Sequence, residues 1–169
     1  MNQHDWKGVS VVELNNFVKQ FEHARGGTLR VLDSIPAGMA DVMPPGFRNT
    51  IRWNAGHILV VAEQFLFGLL AEQMQMPKEY KDLFGNGTKP ADWTGDIPSL
   101  EVLVGQLKEQ GERAKDILAG RSGRKLAKPY PLGSGRTLET SDDVFNLALY
   151  HEANHTGYIQ ALKRTIEGQ

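Results

Sequence analysis

Between Ile51 and Leu70 apolar side chains fall on nearly every side of a helical wheel, among them Ile51, Trp53, Ile58, Leu59, Val60, Val61, Phe65, Leu66, Phe67, Leu69 and Leu70. A helix that is apolar all round has to be surrounded by protein. The longest apolar stretch, Ile58 to Leu70, is interrupted by Glu63, Gln64 and Gly68 and falls well short of the roughly 20 residues that a bilayer crossing needs. It therefore reads as a buried helix, about Thr50 to Gln73. In a small fold such a helix is either central in its own bundle or gives one face to a second subunit, and we expect a homodimer using part of this surface.

Three further segments have helical periodicity. The first starts at Ser10, with Glu13 completing a capping box, places Leu14, Phe17, Val18, Phe21, Leu29 and Leu32 on one stripe and ends near Pro36. Gly26 and Gly27 lie inside it, each costing about 1 kcal/mol relative to alanine, so a kink or a close helix contact is expected there. The next runs from about Ser99 to Leu118, and the last follows Thr140, which forms a capping box with Asp143. Pro- and Gly-rich connections separate them: Ile35 to Arg48, a long irregular stretch from Met76 to Pro98, and the locally basic Gly120 to Thr140. The Met76 to Pro98 stretch is expected to be a crossover or a loop over a site. No run has period-2 alternation. The expected fold is all-α, a single domain over residues 1–169 forming a four-helix bundle with long crossover connections, a setting for sites built from facing helices.

Composition excludes some functions. With 19 basic and 20 acidic residues the formal net charge is -1, so no global field draws the chain to nucleic acid or to an anionic membrane. Cysteine is absent, which removes disulfides, thiolate ligands and a cysteine nucleophile together and leaves His and carboxylates as the strong metal donors. The first residues, Met1 to Lys7, lack the basic and apolar regions of a secretory signal, and a cytoplasmic location is the expectation.

The last helix carries His151 and His155 four residues apart. Positions i and i+4 project to the same side of a helix. Val144, Leu147, Ala148, Tyr158, Ile159, Leu162 and Ile166 recur around them at helical spacing, so both imidazoles occupy the core-facing stripe, while Glu152, Asn154, Gln160, Lys163, Arg164 and Glu167 form the opposite, solvated side. His57 lies in the most apolar helix, where an unpartnered imidazole is costly. A single buried histidine is ordinarily a hydrogen-bonded core residue. A third imidazole added to an inward pair points instead to a shared divalent metal, with His57, His151 and His155 as ligands and a position left open. Nitrogen donors suit zinc, nickel or ferrous iron. His4 and His23 fall outside the pattern and are expected to be solvated.

His151-Glu152-Ala153-Asn154-His155 also satisfies H-E-x-x-H, in which the Glu activates a metal's water. Zincins take their third ligand downstream, and only Thr156 to Gln169 remain here, without a histidine. A metalloprotease is therefore set aside. Glu152 is kept as a candidate general base, with a solvent-facing side chain as the plainer expectation, because it sits about 100° around the helix from His151.

The histidine in Trp53-Asn54-Ala55-Gly56-His57-Ile58 and the His151/His155 pair followed by Gly157-Tyr158-Ile159 resemble the DinB-like/YfiT superfamily of bacterial four-helix-bundle metalloproteins. The likeness spans nearly the whole chain in helix order. It implies a divalent metal, often zinc or nickel, held at the positions of His57, His151 and His155, frequent homodimers and cytoplasmic residence. Relatives include S-transferases that use bacillithiol or mycothiol, so the implied function is transfer of a low-molecular-weight thiol to an electrophile. The alternatives are hydrolysis by a water that the metal ionises, and a non-catalytic, stress-related metalloprotein. Around the metal, Asn54, Gln64, Asn154 and Tyr158 are candidate supporting residues, and Arg121, Arg124, Lys125, Lys128 and Arg136 offer charge for an anionic co-substrate.

Overall fold

The computed structural model describes residues 11–36 and 38–168, with side chains from Asn16 onward. Four long helices form the bundle: α1 (Val11–Asp33), α2 (Ile51–Glu63), α4 (Leu100–Arg121) and α5 (Ser141–Glu167), with a short α3 (Tyr80–Phe84) beside α2. The expected capping box at Ser10, the stripe position Leu14 and His4 lie outside what is described. Both α1 and α2 pack on α4 and on α5. Consecutive members α1 and α2 thus stand across the diagonal, which is why the chain between them is a long crossover. Among the described residues no helix is long and apolar enough to cross a membrane.

Local chemistry accounts for the helix ends. The Thr50 side chain accepts from Trp53 N at the start of α2, and Ser99 accepts from Val102 N at the start of α4. At α5 the box between Thr140 and Asp143 is closed in both directions. The second helix is shorter than its hydrophobic pattern: α-geometry ends at Glu63, a π-helical turn covers Gln64–Gly68, and Ala71 has φ 59. The whole of α2 from Trp53 to Glu63 is buried within its own chain. Its central position accounts for the apolar circumference. Gly26 and Gly27 are passed without a break in α1, and the space beside each is met only by Arg30 of the same helix, not by a neighbouring one.

One connection departs from expectation, and another lies over the site as expected but gains a short helix. The basic stretch after α4 is an antiparallel hairpin, β1 (Lys125–Pro131) with β2 (Thr137–Thr140), in a sequence without period-2 alternation. Such a ribbon lies on the surface, where alternation is not needed, and buries Leu138 alone of its core-type residues. The stretch from Met76 to Pro98 holds α3 and a 3₁₀ turn at Pro90–Asp92, and it covers α2: Trp53 Nε1 donates to Thr88 Oγ1 at 3.0 Å and Trp93 Nε1 to Leu83 O at 2.8 Å.

The core is layered. One apolar cluster contains Leu32, Ile58, Leu103, Leu107 and Ile159, and a second contains Phe21, Leu66, Ala114, Leu118, Phe145 and Ala148. Between them every long helix contributes buried polar groups: Arg25 and Thr28 from α1, Glu63 from α2, Gln110 from α4 and Glu152 from α5. On α5, His151 and His155 fall at this level, between Ala148 and Ile159, whereas His57 lies among the residues of the first cluster, six positions before Glu63.

Candidate metal centre

The fold brings His57, His151 and His155 together, with one ring nitrogen of each lying within 4.8 Å of the others. His57 is buried, while His151 and His155 are half-buried, so the cluster is enclosed on the α2 side and accessible on the α5 side. The Nε2 atoms of His57 and His151 are 3.2 Å apart.

The partners of the other ring nitrogens fix how two of the rings present themselves. His57 Nδ1 lies 2.6 Å from the carbonyl of Phe84, which can only accept, so Nδ1 carries the proton and the Nε2 lone pair faces the cluster. His155 Nδ1 is 2.8 Å from Asn54 Oδ1, whose Nδ2 donates to Thr50 O at 2.8 Å. That second bond orients the amide with its oxygen toward His155, leaving Nε2 as the free nitrogen. A ligating histidine is ordinarily supported in this way through its second nitrogen. Trp53 stacks on His57 at 4.5 Å and 14°, and Phe65 stands edge-on to His151 at 6.4 Å.

Burial, and next the neighbouring His155 and His57, pushes His151 down to about 3, and burial, then His57, brings His155 to about 4. His57 is lowered by burial, partly opposed by its bond to Phe84. All three are neutral at physiological pH. Three converging, neutral, nitrogen-only donors, two of them locked in the required tautomer, fit a borderline divalent cation.

A family model for the DinB superfamily matches residues 20–159. The chain belongs to the DinB superfamily. Among solved structures it is similar to YfiT from Bacillus subtilis, described as a probable metal-dependent hydrolase with an unusual four-helix bundle topology, with a TM-score of 0.64 at 13% identity over 98% of this chain and 94% of that one. At that identity the likeness shows the fold. No curated protein matches the sequence significantly.

Within this DinB fold the other candidates separate. Asn54 is part of the cluster. Gln64 lies in the π-helical turn, Asn154 is exposed, and Tyr158 stands edge-on to Phe47 at 5.4 Å. His23 is exposed, as expected. Glu152 is neither solvent-facing nor turned toward the histidines: it is 2% exposed, and its carboxylate accepts from Arg25 Nε at 2.6 Å, Arg25 Nη2 at 3.0 Å and Thr28 Oγ1 at 3.0 Å. The expectation failed because α5 is covered by α1 as well as α2, so its buried arc extends past the apolar stripe.

Two contributors had no sequence signal as parts of a site. Phe84 acts through a backbone carbonyl, which every residue has. Gly56 makes room for it: a Cβ there would sit 2.4 Å from the Phe84 ring, far inside the usual 3.5–4.0 Å carbon contact. Tyr80 and Trp93 pack edge-on against that ring, each at 5.6 Å, so it has no free direction in which to move. Gly56→Ala should gain about 1 kcal/mol of helix propensity yet lose about 3 kcal/mol, the upper end of the usual overpacking cost, with a net destabilisation of about 2 kcal/mol. Urea unfolding measures the loss. Stability at or above wild type would show that the Phe84 ring can yield.

Proposed function

We propose that this DinB protein is a metal-dependent enzyme that joins a low-molecular-weight thiol to a small electrophile, with His57, His151 and His155 holding the divalent ion. The observation that carries the metal reading is the convergence of the three ring nitrogens. A divalent ion held by His57, His151 and His155 would supply Lewis acidity to ionise a thiol or a water at neutral pH. The chain's own residues orient the donors: Phe84 O holds His57, and Asn54 holds His155. Trp53 and Phe65 narrow the space around them with aromatic surface and limit water.

Thiol chemistry is favoured by where Glu152 lies. Its carboxylate is engaged by Arg25 and Thr28, so the H-E-x-x-H motif provides no base beside the histidines. A thiol, with an unperturbed pKa of about 8.5, needs only a small shift to ionise near pH 7, whereas water starts near 15.7. A groove of about 530 Å³ between the hairpin and the start of α5 is lined by Arg136 and Tyr150, but Asp143 lines it too and its carboxylate offsets Arg136, so the groove offers an anionic co-substrate no net positive charge. Hydrolysis is the second reading, favoured by the description of the similar YfiT structure as a probable metal-dependent hydrolase.

Elemental analysis of protein purified without chelator, followed by turnover of a model electrophile with a panel of thiols, tests the reading. A bound zinc or nickel ion and thiol-dependent consumption that a chelator abolishes are expected. Chelator-sensitive turnover of esters or amides without thiol would favour hydrolysis. Metal without turnover in either panel would leave a non-catalytic metalloprotein, and failure to take up any divalent ion would remove the metal reading.

A further inference from the structure

The two residues that immediately follow the candidate ligands on α5 make a second, parallel row. Glu152 follows His151 and Thr156 follows His155, one helical turn apart and about 100° around from the imidazoles. Both face α1. Arg25 reaches Glu152 with two nitrogens, while Thr28, one turn further along α1, donates to Glu152 Oε1 at 3.0 Å and lies 2.7 Å from Thr156 Oγ1. Arg25 is in turn held by α4, donating to Leu107 O at 2.7 Å and Gln110 Oε1 at 3.2 Å. Gln110 donates to Glu63 Oε2 at 2.6 Å, which ties the layer to α2, the helix that carries His57.

We propose that Arg25 and Thr28 are positioning residues that grip Glu152 and Thr156 and so fix the rotation and height of α5 at which His151 and His155 meet His57. This inference rests on the metal reading above. The magnitudes show why such a grip is needed. Turning α5 by about 10° moves a side-chain tip roughly 6 Å from the helix axis by about 1 Å, while metal–ligand distances tolerate only about 0.2 Å. Apolar packing alone is a weak brake on that motion, because cores keep their stability through substitutions that cost them uniqueness. A bidentate guanidinium–carboxylate pair is directional. Stability by itself does not account for the pair either, since well-packed apolar residues in place of a buried ion pair are commonly neutral or stabilising.

That last property supplies the test. The double variant Arg25→Met with Glu152→Leu removes both charges and should melt, in chelator, near or above the wild-type temperature. Zinc affinity, measured by competition with a chromophoric chelator, is expected to fall about 10- to 100-fold, the usual effect of losing support around a ligand, and the visible spectrum of the cobalt-loaded protein should change. Wild-type zinc affinity together with an unchanged cobalt spectrum in a folded double variant would overturn the proposal. Should the double variant not fold, Thr28→Val carries the same test with little change in volume: affinity should fall, and Thr28→Ser, which keeps the hydroxyl, should restore it. Equal affinity in the valine and serine variants would likewise overturn it. If the wild type takes up no zinc, the metal reading fails separately, and imidazole ¹⁵N spectra of the metal-free protein still decide the positioning role. His151 and His155 resonances shift in the double variant if α5 turns, and unmoved resonances refute it.

Discussion

Alanine at any one of His57, His151 or His155 is expected to lower zinc affinity by about 100-fold or more, because structural zinc sites draw about 10–16 kcal/mol from some four ligands, or about 3 kcal/mol each. The metal-free proteins should not behave alike. His57→Ala removes a buried ring stacked on Trp53 and leaves the Phe84 carbonyl without its donor, so about 2–4 kcal/mol of stability is lost. Among the described residues His151 has no polar partner except the crowded contact to His57 Nε2 at 3.2 Å, and its neutral state is enforced by burial. Its removal should leave the metal-free protein as stable as wild type at pH 7 and more stable near pH 5, as expected where a site holds residues that stability alone would not select. Chelator competition and urea unfolding of the metal-free variants measure the two quantities. Full metal occupancy in all three variants would sink the shared site, and equal loss of stability across them would make the α5 pair ordinary core.

How far the sequence reads into this site depends on the range of the interaction. The capping box at Thr140 and Asp143 and the inward side of His151 and His155 depend on residues three or four positions apart, which periodicity exposes. His57 was legible because a polar side chain in an all-round apolar helix needs a partner. Glu152 was not, since what keeps it inside is Arg25, 127 positions earlier, and a polar residue beyond an apolar stripe looks the same whether water or a guanidinium faces it. Gly56 has the same difficulty: its need for a missing Cβ arises from Phe84, on another helix. The hairpin went unread because an exposed two-stranded ribbon requires no alternation, and the π-helical turn because its residues are as apolar as those of the α-helix before it.

Acid gives the other large effect, and its sign follows from the direction of the three shifts. In the folded chain His151 stands at about 3, His155 at about 4, and His57 is also lowered, against 6.5 for the unfolded residues. Between those limits the unfolded state binds protons that the folded state refuses, so stability that is fully present above pH 6.5 is lost as pH falls through this window. Two such groups give a slope of about 3 kcal/mol per pH unit, and His57 steepens it. Metal affinity should behave in the opposite way. An exposed histidine of pKa 6.5 is about 30-fold less available as a lone pair at pH 5 than at neutrality, so a solvated three-histidine site would weaken steeply over that interval. Here His151 and His155 remain neutral through that interval while the bundle is folded, and His57 is shifted in the same direction, so zinc affinity should fall far less from pH 7 to pH 5 than it would at a solvated site. The ion should then leave together with the helical signal as the protein unfolds. Chelator competition at pH 7, 6 and 5, run beside circular dichroism, separates the two cases. A steep fall in affinity while the helical signal stays native would show that the histidines titrate as exposed groups and are not enclosed by Trp53, Phe65 and the Phe84 segment.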